Sequence, residues 1–227
     1  MKTALVTGAA RGIGRASAEV LQKSGFRVLA LDLQFNEQLF SGQITYDLTN
    51  VSEIPRLVDS LGEIHVLVNN AGVQNAVSID KYTDEQRSRI LRVNLEAPVE
   101  LIRAVSKQMI ARKAGRIVNV ASIAAYSAHT DLWYGVTKAG VVSFTRSFAT
   151  YLGPHGIQVN AVAPGPIDTD LLKNAQPERI EQLMKLVYTR RVGQPEEVAE
   201  TIRWLAMDAP VIINGAVIDV TDGAFLR

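Results

Sequence analysis

The chain has 227 residues, 47% of them hydrophobic and 21% charged, with a formal net charge of +1. That balance suits one domain with a sizeable buried core and excludes a disordered chain or one with a nucleic-acid or membrane electrostatic footprint. With no cysteine and only His65, His129 and His155, the sequence offers no disulfide, no thiolate nucleophile and no expected metal centre.

Short β-branched apolar runs alternate with helical patterns from the first residues onward. TALVTG (3–8) predicts a strand that enters the turn VTGAARGIGRA, from which a helix over 12–24 begins. Gly8, Gly12 and Gly14 follow G-x-x-x-G-x-G rather than the G-x-G-x-x-G fingerprint. The physical logic is shared: glycines permit a tight turn and close backbone approach, and the helix N-terminus offers N–H groups and positive dipole to a pyrophosphate. Gly8, Arg11, Gly12, Ile13 and Gly14 are therefore candidate dinucleotide contacts.

The second strand, RVLALD (27–32), ends in Asp32, about 20 residues past the loop, where a carboxylate accepts hydrogen bonds from an adenosine ribose. The same carboxylate repels a 2′-phosphate, which favours NAD over NADP, with Arg11 as the group able to neutralise an extra phosphate. Between Leu33 and Gly42 there is room for a loop but hardly for a crossover helix, so other elements must cover one sheet face there. QITYD (43–47) predicts a third strand followed by Asp47, read equally as a ligand or as a turn or cap aspartate.

A helix over 51–60, a strand IHVLVNN (64–70) and a long helical stretch over 84–113 come next. GRIVNVAS (115–122), a helix over 131–153, IQVNAVAP (157–164), helices over 177–187 and 195–207, and GAVIDVTDG (215–223) complete the chain. Pro195, Glu196 and Glu197 suit a helical first turn. Consecutive apolar positions suit strands covered on both faces. The alternation predicts an α/β fold: a doubly wound parallel sheet, Rossmann-like, of about seven strands with helices on both faces, in a single domain over 1–227.

In WYGVTKAG (133–140), Tyr134 and Lys138 stack one turn apart on a helix face. Alone, the pair reads equally as a surface contact or as a phenol beside an ammonium.

These residues carry a likeness. The chain resembles the short-chain dehydrogenase/reductase family over nearly its whole length, through TGAARGIG (7–14), DL (47–48), NNAG (69–72), VN (93–94), Ser122, YGVTK (134–138) and PGPIDT (164–169), in that order. The resemblance implies that Asp47 and Leu48 meet the adenine, and that Asn70, Ala71 and Gly72 run along the adenine ribose. It implies that Pro164, Gly165, Ile167 and Thr169 border the nicotinamide, and that Asn94, Ser122, Tyr134 and Lys138 form a catalytic tetrad. There are two departures. Ser122 and Tyr134 stand one position closer than the family usually shows, and INGAVIDVTDG replaces the usual C-terminal ITGQxxxVDGG.

The implied activity is an NAD-dependent oxidoreductase acting on a small-molecule secondary alcohol or ketone. Tyr134 would be general acid/base, its anion favoured by Lys138 and by oxidised nicotinamide. Lys138 would also hold the nicotinamide ribose, Ser122 the substrate oxygen, and Asn94 a water near Lys138. Tyr126 and Trp133 are read as pocket wall or core.

A substrate lid is expected at about 168–190, with Leu171, Leu172, Leu183, Met184 and Val187 as apolar cover. Lys173, Arg190 and Arg191 are candidates to meet an acidic group, and 72–77 and His129 lie near the opening. Alternatives are a cofactor-binding regulator that turns nothing over, and an epimerase or dehydratase using the cofactor transiently. No charged-then-apolar leader precedes the first strand and no stretch is long enough to span a membrane, so a cytoplasmic protein is expected. By analogy with the family, 84–113 and 131–153 are expected to build a homo-oligomer, a tetramer or dimer.

Overall fold

The computed structural model describes residues 1–75, 77–173 and 177–226. The strands β1 (Thr3–Thr7), β2 (Arg27–Asp32), β3 (Gln43–Thr45), β4 (Val66–Asn69), β5 (Gly115–Val120), β6 (Ile157–Pro164) and β7 (Val217–Val220) form one parallel sheet in the order β3-β2-β1-β4-β5-β6-β7. The helices are α1 (Gly12–Lys23), α2 (Ile54–Ser60), α3 (Asp84–Leu91), α4 (Ala97–Arg112), α5 (Leu132–Leu152), α6 (Asp170–Lys173), α7 (Pro177–Leu186) and α8 (Pro195–Met207). The strand order reverses between β1 and β4, which opens a crevice at their C-terminal ends, where such sheets bind ligands. Among the described residues no helix is long and apolar enough to cross a membrane.

The apolar strand runs conceal a size alternation that assigns each sheet face its helices. Ala4, Val6, Val28, Ala30, Val66 and Val68 face α1 and α8, meeting Ala18, Leu21, Val198 and Ile202. Leu5, Leu29, Leu31, Leu67 and Ile117 face the other way, onto Ile54, Leu101, Ile102, Met109 and Leu152 of α2, α4 and α5. Leu5 pairs with Leu29 on one side and Leu67 on the other, so the large side chains share a row. A one-residue slip would send that row into the face built for alanine and valine.

The segment between β2 and β3 contains no helix, as its length implied. Phe40 is buried there, with Phe35 and Leu39 packed beside it, and together they cover the sheet face in place of a helix.

The predicted helix over 84–113 is interrupted: Arg92–Glu96 form a π-helical turn between α3 and α4. Pro98 supplies the cause. It has no N–H for the carbonyl of Asn94, and its ring would collide with that carbonyl in a regular helix, so the wider turn relieves both. Several strands are shorter than predicted, because side chains take over pairing at their ends. The Asn214 side-chain Oδ1 accepts from the Val159 N–H at 2.8 Å just before β7, and the Asp47 carboxylate accepts from the Thr49 N–H at 2.9 Å after β3.

Candidate active site

A cleft of about 1170 Å³ opens over the C-terminal ends of the strands. Gly8, Arg11, Gly12, Ile13, Asp32, Asp47, Leu48, Asn70, Ala71 and Gly72 line it, and so do Ser122, Tyr134, Lys138, Pro164, Gly165, Ile167 and Thr169. Gly14 and Asn94 do not. A Cβ on Gly14 would lie 1.9 Å from the Gly8 carbonyl oxygen, so this glycine lets α1 pack against the turn rather than lining the cleft. The Asn94 amide is buried. It accepts from the Val73 N–H at 2.8 Å and donates to the Val73 carbonyl at 2.9 Å and the Thr137 hydroxyl at 3.1 Å. It thus fastens the segment that follows NNAG to α5, from its place in the π-turn.

The glycine turn fits a dinucleotide phosphate. α1 begins at Gly12 with no side-chain cap on its first N–H groups and no acid in its first turn, so donors and dipole remain available to an anion. Gly8 has φ +67°, and a Cβ there would sit 2.8 Å from Asn70 Nδ2 and 2.9 Å from Ala71 Cα. Two turns meet at that point. The Asn70 amide donates to the Thr7 and Gly8 carbonyls at 2.9 and 3.2 Å, while the Asn70 and Ala71 N–H groups both donate to the Thr7 hydroxyl at 3.0 Å.

Asp32 is held at the end of β2 by the N–H groups of Ala10 (2.8 Å) and Leu33 (2.7 Å). Arg11 does not face it: its guanidinium lies 2.9 Å from Asp170 at the start of α6. Arg15 pairs with Glu19 at 2.9 Å and Glu37 at 3.2 Å. Both arginines of this wall are thus matched by carboxylates.

At the opposite end, Ser122, Tyr134 and Lys138 converge despite the shortened loop between them. Ser122 caps a short 3₁₀ turn over Ile123–Ala125, its hydroxyl accepting from the Ala124 N–H at 3.1 Å. The tight turn leaves the Ser122 hydroxyl beside the Tyr134 phenol, whose ionisation it favours. Tyr134 and Lys138 are buried. The Lys138 ammonium donates to the Val120 carbonyl at 2.7 Å and lies 5.5 Å from the centre of the Tyr134 ring, over its face rather than at its oxygen. Desolvation dominates both groups. It pushes the phenol up to about 12, against the pull of the Ser122 hydrogen bond, and pushes Lys138 down to about 8. The net result is a phenol above its ordinary value.

The expected lid corresponds to α6 and α7, with Asn174–Gln176 outside the described residues. Leu171, Leu172, Leu183 and Leu186 line the cleft, Met184 is half-buried, and Val187 belongs to the core. The three basic residues all have partners within the protein, and Lys173 also stands in the cleft wall. Lys173 pairs with Asp168 at 3.2 Å and Arg191 with Glu197 at 2.6 Å, while Arg190 donates to the Met184 and Lys185 carbonyls at the end of α7. Val73 and Gln74 from the 72–77 segment line the opening, with Ala76 outside the described residues. His129 also lines it, its ring 5.0 Å from that of Tyr134. Trp133 packs beside Tyr134, and Tyr126 stacks on Phe225 at 5.4 Å, with Phe225 in the cleft wall.

Sequence reasoning missed Asp131, which caps α5 one turn before Tyr134, and Pro98. Each had a legible signal, an aspartate just ahead of a helix and a proline inside one.

Comparison with known proteins places this architecture among oxidoreductases. Residues 8–224 match a family model described as enoyl-(acyl carrier protein) reductase. A 3-oxoacyl-(acyl-carrier-protein) reductase of Synechocystis is 38% identical over 98% of this chain and 96% of its own length. The crystal structure of a 3-oxoacyl-(acyl-carrier protein) reductase from Brucella melitensis with bound NAD superimposes with a TM-score of 0.90 at 31% identity, covering 100% of this chain and 92% of that one. A gluconate 5-dehydrogenase from Burkholderia cenocepacia, solved with NADP and tartrate, gives a TM-score of 0.90 at 28% identity, covering 98% and 94%.

Proposed function

Because this chain belongs to the short-chain dehydrogenase/reductase family, an oxidoreductase family of alcohol and keto groups, we propose that it is an NAD(H)-linked enzyme that interconverts a ketone and a secondary alcohol, with Tyr134 moving the proton. The observation that carries the reading is the Ser122–Tyr134–Lys138 cluster at one end of a cleft whose other end is the glycine turn and Asp32. The nicotinamide, when bound, supplies or accepts the hydride at carbon.

This chain's residues do the rest. Ser122 and the phenol are placed to bind the substrate oxygen together. Tyr134 carries its proton at neutral pH and is placed to give it to a carbonyl oxygen in the ketone-reducing direction. In the alcohol-oxidising direction the same phenol must lose its proton first, helped by the Lys138 charge over its ring. Gly8, Gly12 and the N-terminus of α1 would hold the pyrophosphate, Asp32 the adenosine ribose, and Lys138 the nicotinamide ribose.

Asp32, with Arg11 and Arg15 both matched by acids, supports NAD over NADP. The Synechocystis and Brucella relatives make a 3-oxoacyl thioester the first substrate to test, and the Burkholderia one makes a polyol acid the second. Leu132, Val136 and Tyr151 leave apolar area exposed along α5, which supports self-association through that helix. The deciding assay follows NADH and NADPH consumption with 3-oxoacyl thioesters and keto-acids. Turnover with NADH ahead of NADPH is expected. Tight cofactor binding with no turnover across ketones and alcohols would instead indicate a regulator.

A further inference from the structure

Asp131 is 1% exposed, and among the described residues no basic side chain pairs with it. A buried carboxylate without a cation is costly unless donors surround it. Here three do. Its Oδ1 accepts from the Tyr134 N–H at 3.0 Å and from the Tyr82 hydroxyl at 3.0 Å, and its Oδ2 accepts from the Asn75 N–H at 2.6 Å. The Asn75 side chain in turn donates to the Tyr82 oxygen at 2.7 Å. One carboxylate therefore joins the first turn of α5 to Asn75 and to Tyr82. The neighbours of Asn75, Val73 and Gln74, form part of the cleft wall.

Capping alone does not explain an aspartate. Serine, threonine or asparagine would cap α5 equally well and bury no charge. What aspartate adds is a fixed negative charge three residues from the phenol. The groups around Tyr134 can be named element by element. Ser122 and His129 come from the β5–α5 connection, and Lys138 from α5 itself. Ile90 comes from α3, with the cleft-lining Arg89 beside it, and Tyr82 bonds to Asp131. Asp131 is the one acidic side chain in that set, and its charge opposes ionisation of both Tyr134 and Tyr82.

We propose that Asp131 is a positioning residue of this active site: its buried carboxylate clamps Asn75 and Tyr82 to the start of α5, three residues before the Tyr134 phenol. This rests on the reading of Tyr134 as the proton-transfer group. The same carboxylate opposes ionisation of the phenol. It also couples acid strength to the shape of the substrate wall, because one side chain controls both.

The test compares Asp131→Asn, Tyr82→Phe and Tyr134→Phe. Asparagine keeps the cap and the size but loses the charge, and it cannot accept from both Tyr134 and Asn75. The phenol-dependent limb of the kcat–pH profile for alcohol oxidation is expected to move to lower pH by roughly half a unit or more. KM for the ketone is expected to rise about threefold or more as the wall loosens. Tyr82→Phe removes one donor and leaves the charge, so KM should rise while the limb stays in place.

A second readout needs no turnover: ultraviolet titration of the phenolate in cofactor-free protein, each variant differenced against the same variant carrying Tyr134→Phe. Phenolate should form at lower pH in Asp131→Asn than in the wild type. A limb and a phenolate titration that both coincide with wild type in Asp131→Asn would overturn the proposal, as would an equal shift in Tyr82→Phe. Full turnover in Tyr134→Phe would instead defeat the reading of the phenol, while the titration still reports on Asp131.

Discussion

The guanidinium of Arg11 and the carboxylate of Asp170, 159 residues apart in the chain, meet at 2.9 Å across the mouth of the cleft. One belongs to the glycine turn and the other opens the lid. The pair is exposed, with side-chain accessibilities of 79% and 56%, so it adds little to stability. Its effect is to occupy one of the two arginines of this wall. Asp170→Asn should therefore free Arg11 and raise kcat/KM for NADPH relative to NADH with no loss of Tm. Asp32→Ala should move the ratio further, by about tenfold or more, since one lost charge repulsion of about 1.4 kcal/mol corresponds to that factor. An unchanged NADPH/NADH ratio in both variants would sink the reading of cofactor choice.

Tyr134→Phe removes one hydroxyl from a buried ring and leaves its packing intact. Turnover is expected to fall by about 10²–10⁴-fold, the usual range for a positioned acid/base. NAD(H) affinity, read by nucleotide fluorescence, should stay within about twofold, because this substitution removes an interaction made in the transition state. Lys138→Met, by contrast, should weaken both turnover and binding. Retained turnover in the phenylalanine variant would remove Tyr134 from the mechanism.

Lys138 makes stability depend on pH with a definite sign. Burial lowers its ionisation from 10.5 to about 8, so the folded protein resists a proton that the unfolded chain readily takes up. The folded state bears no such cost above 10.5. The cost grows as pH falls from 10.5 to about 8 and is complete below that. Wild-type stability relative to Lys138→Met should accordingly rise as pH increases through this window. Tyr134 acts oppositely and later: its stabilising contribution is full below 10 and is lost as pH climbs towards about 12. Urea unfolding of both proteins on either side of the window between 8 and 10 isolates the lysine. A difference between the two that does not vary with pH would contradict the assignment.

Asn94→Ala tests the strut rather than the chemistry. It leaves the N–H and carbonyl of Val73 without their partners at 2.8 and 2.9 Å. An unsatisfied buried polar group costs about 1–3 kcal/mol, so Tm should drop by several degrees and the Val73 amide should exchange faster with solvent. A variant of wild-type Tm and protection would show that the amide is dispensable to the fold.

The doubly wound sheet was legible because it follows from local chemistry. Apolar β-branched runs, helical stretches between them and a glycine turn after the first strand each act over a few residues. The missing crossover after Asp32 was legible too, from length alone. The π-turn was less so. Pro98 signals a disturbance, but only the packing of α4 decides that the helix widens rather than ends.

In the candidate site, the sequence located the residues and left their electrostatics open. Four-residue spacing put Tyr134 and Lys138 on one face, yet it could not show the ammonium seated over the ring and bonded to Val120. Nor could it show that Lys173, Arg190 and Arg191 are engaged within the protein. Charge pairing between distant segments is set by where the chain folds back, and nothing in a local pattern encodes that distance.

The sequence by itself determined the strand and helix order, the glycine turn, the acid at Asp32 and the four-residue spacing of Tyr134 and Lys138, because each depends on residue type at short separation, whereas Ser122 entered through the family resemblance. Only the tertiary structure decided which groups lose water and which charges meet. Burial raises Tyr134, lowers Lys138 and gathers Asn75 and Tyr82 around Asp131, since desolvation and Coulomb energy depend on three-dimensional surroundings that no stretch of sequence contains.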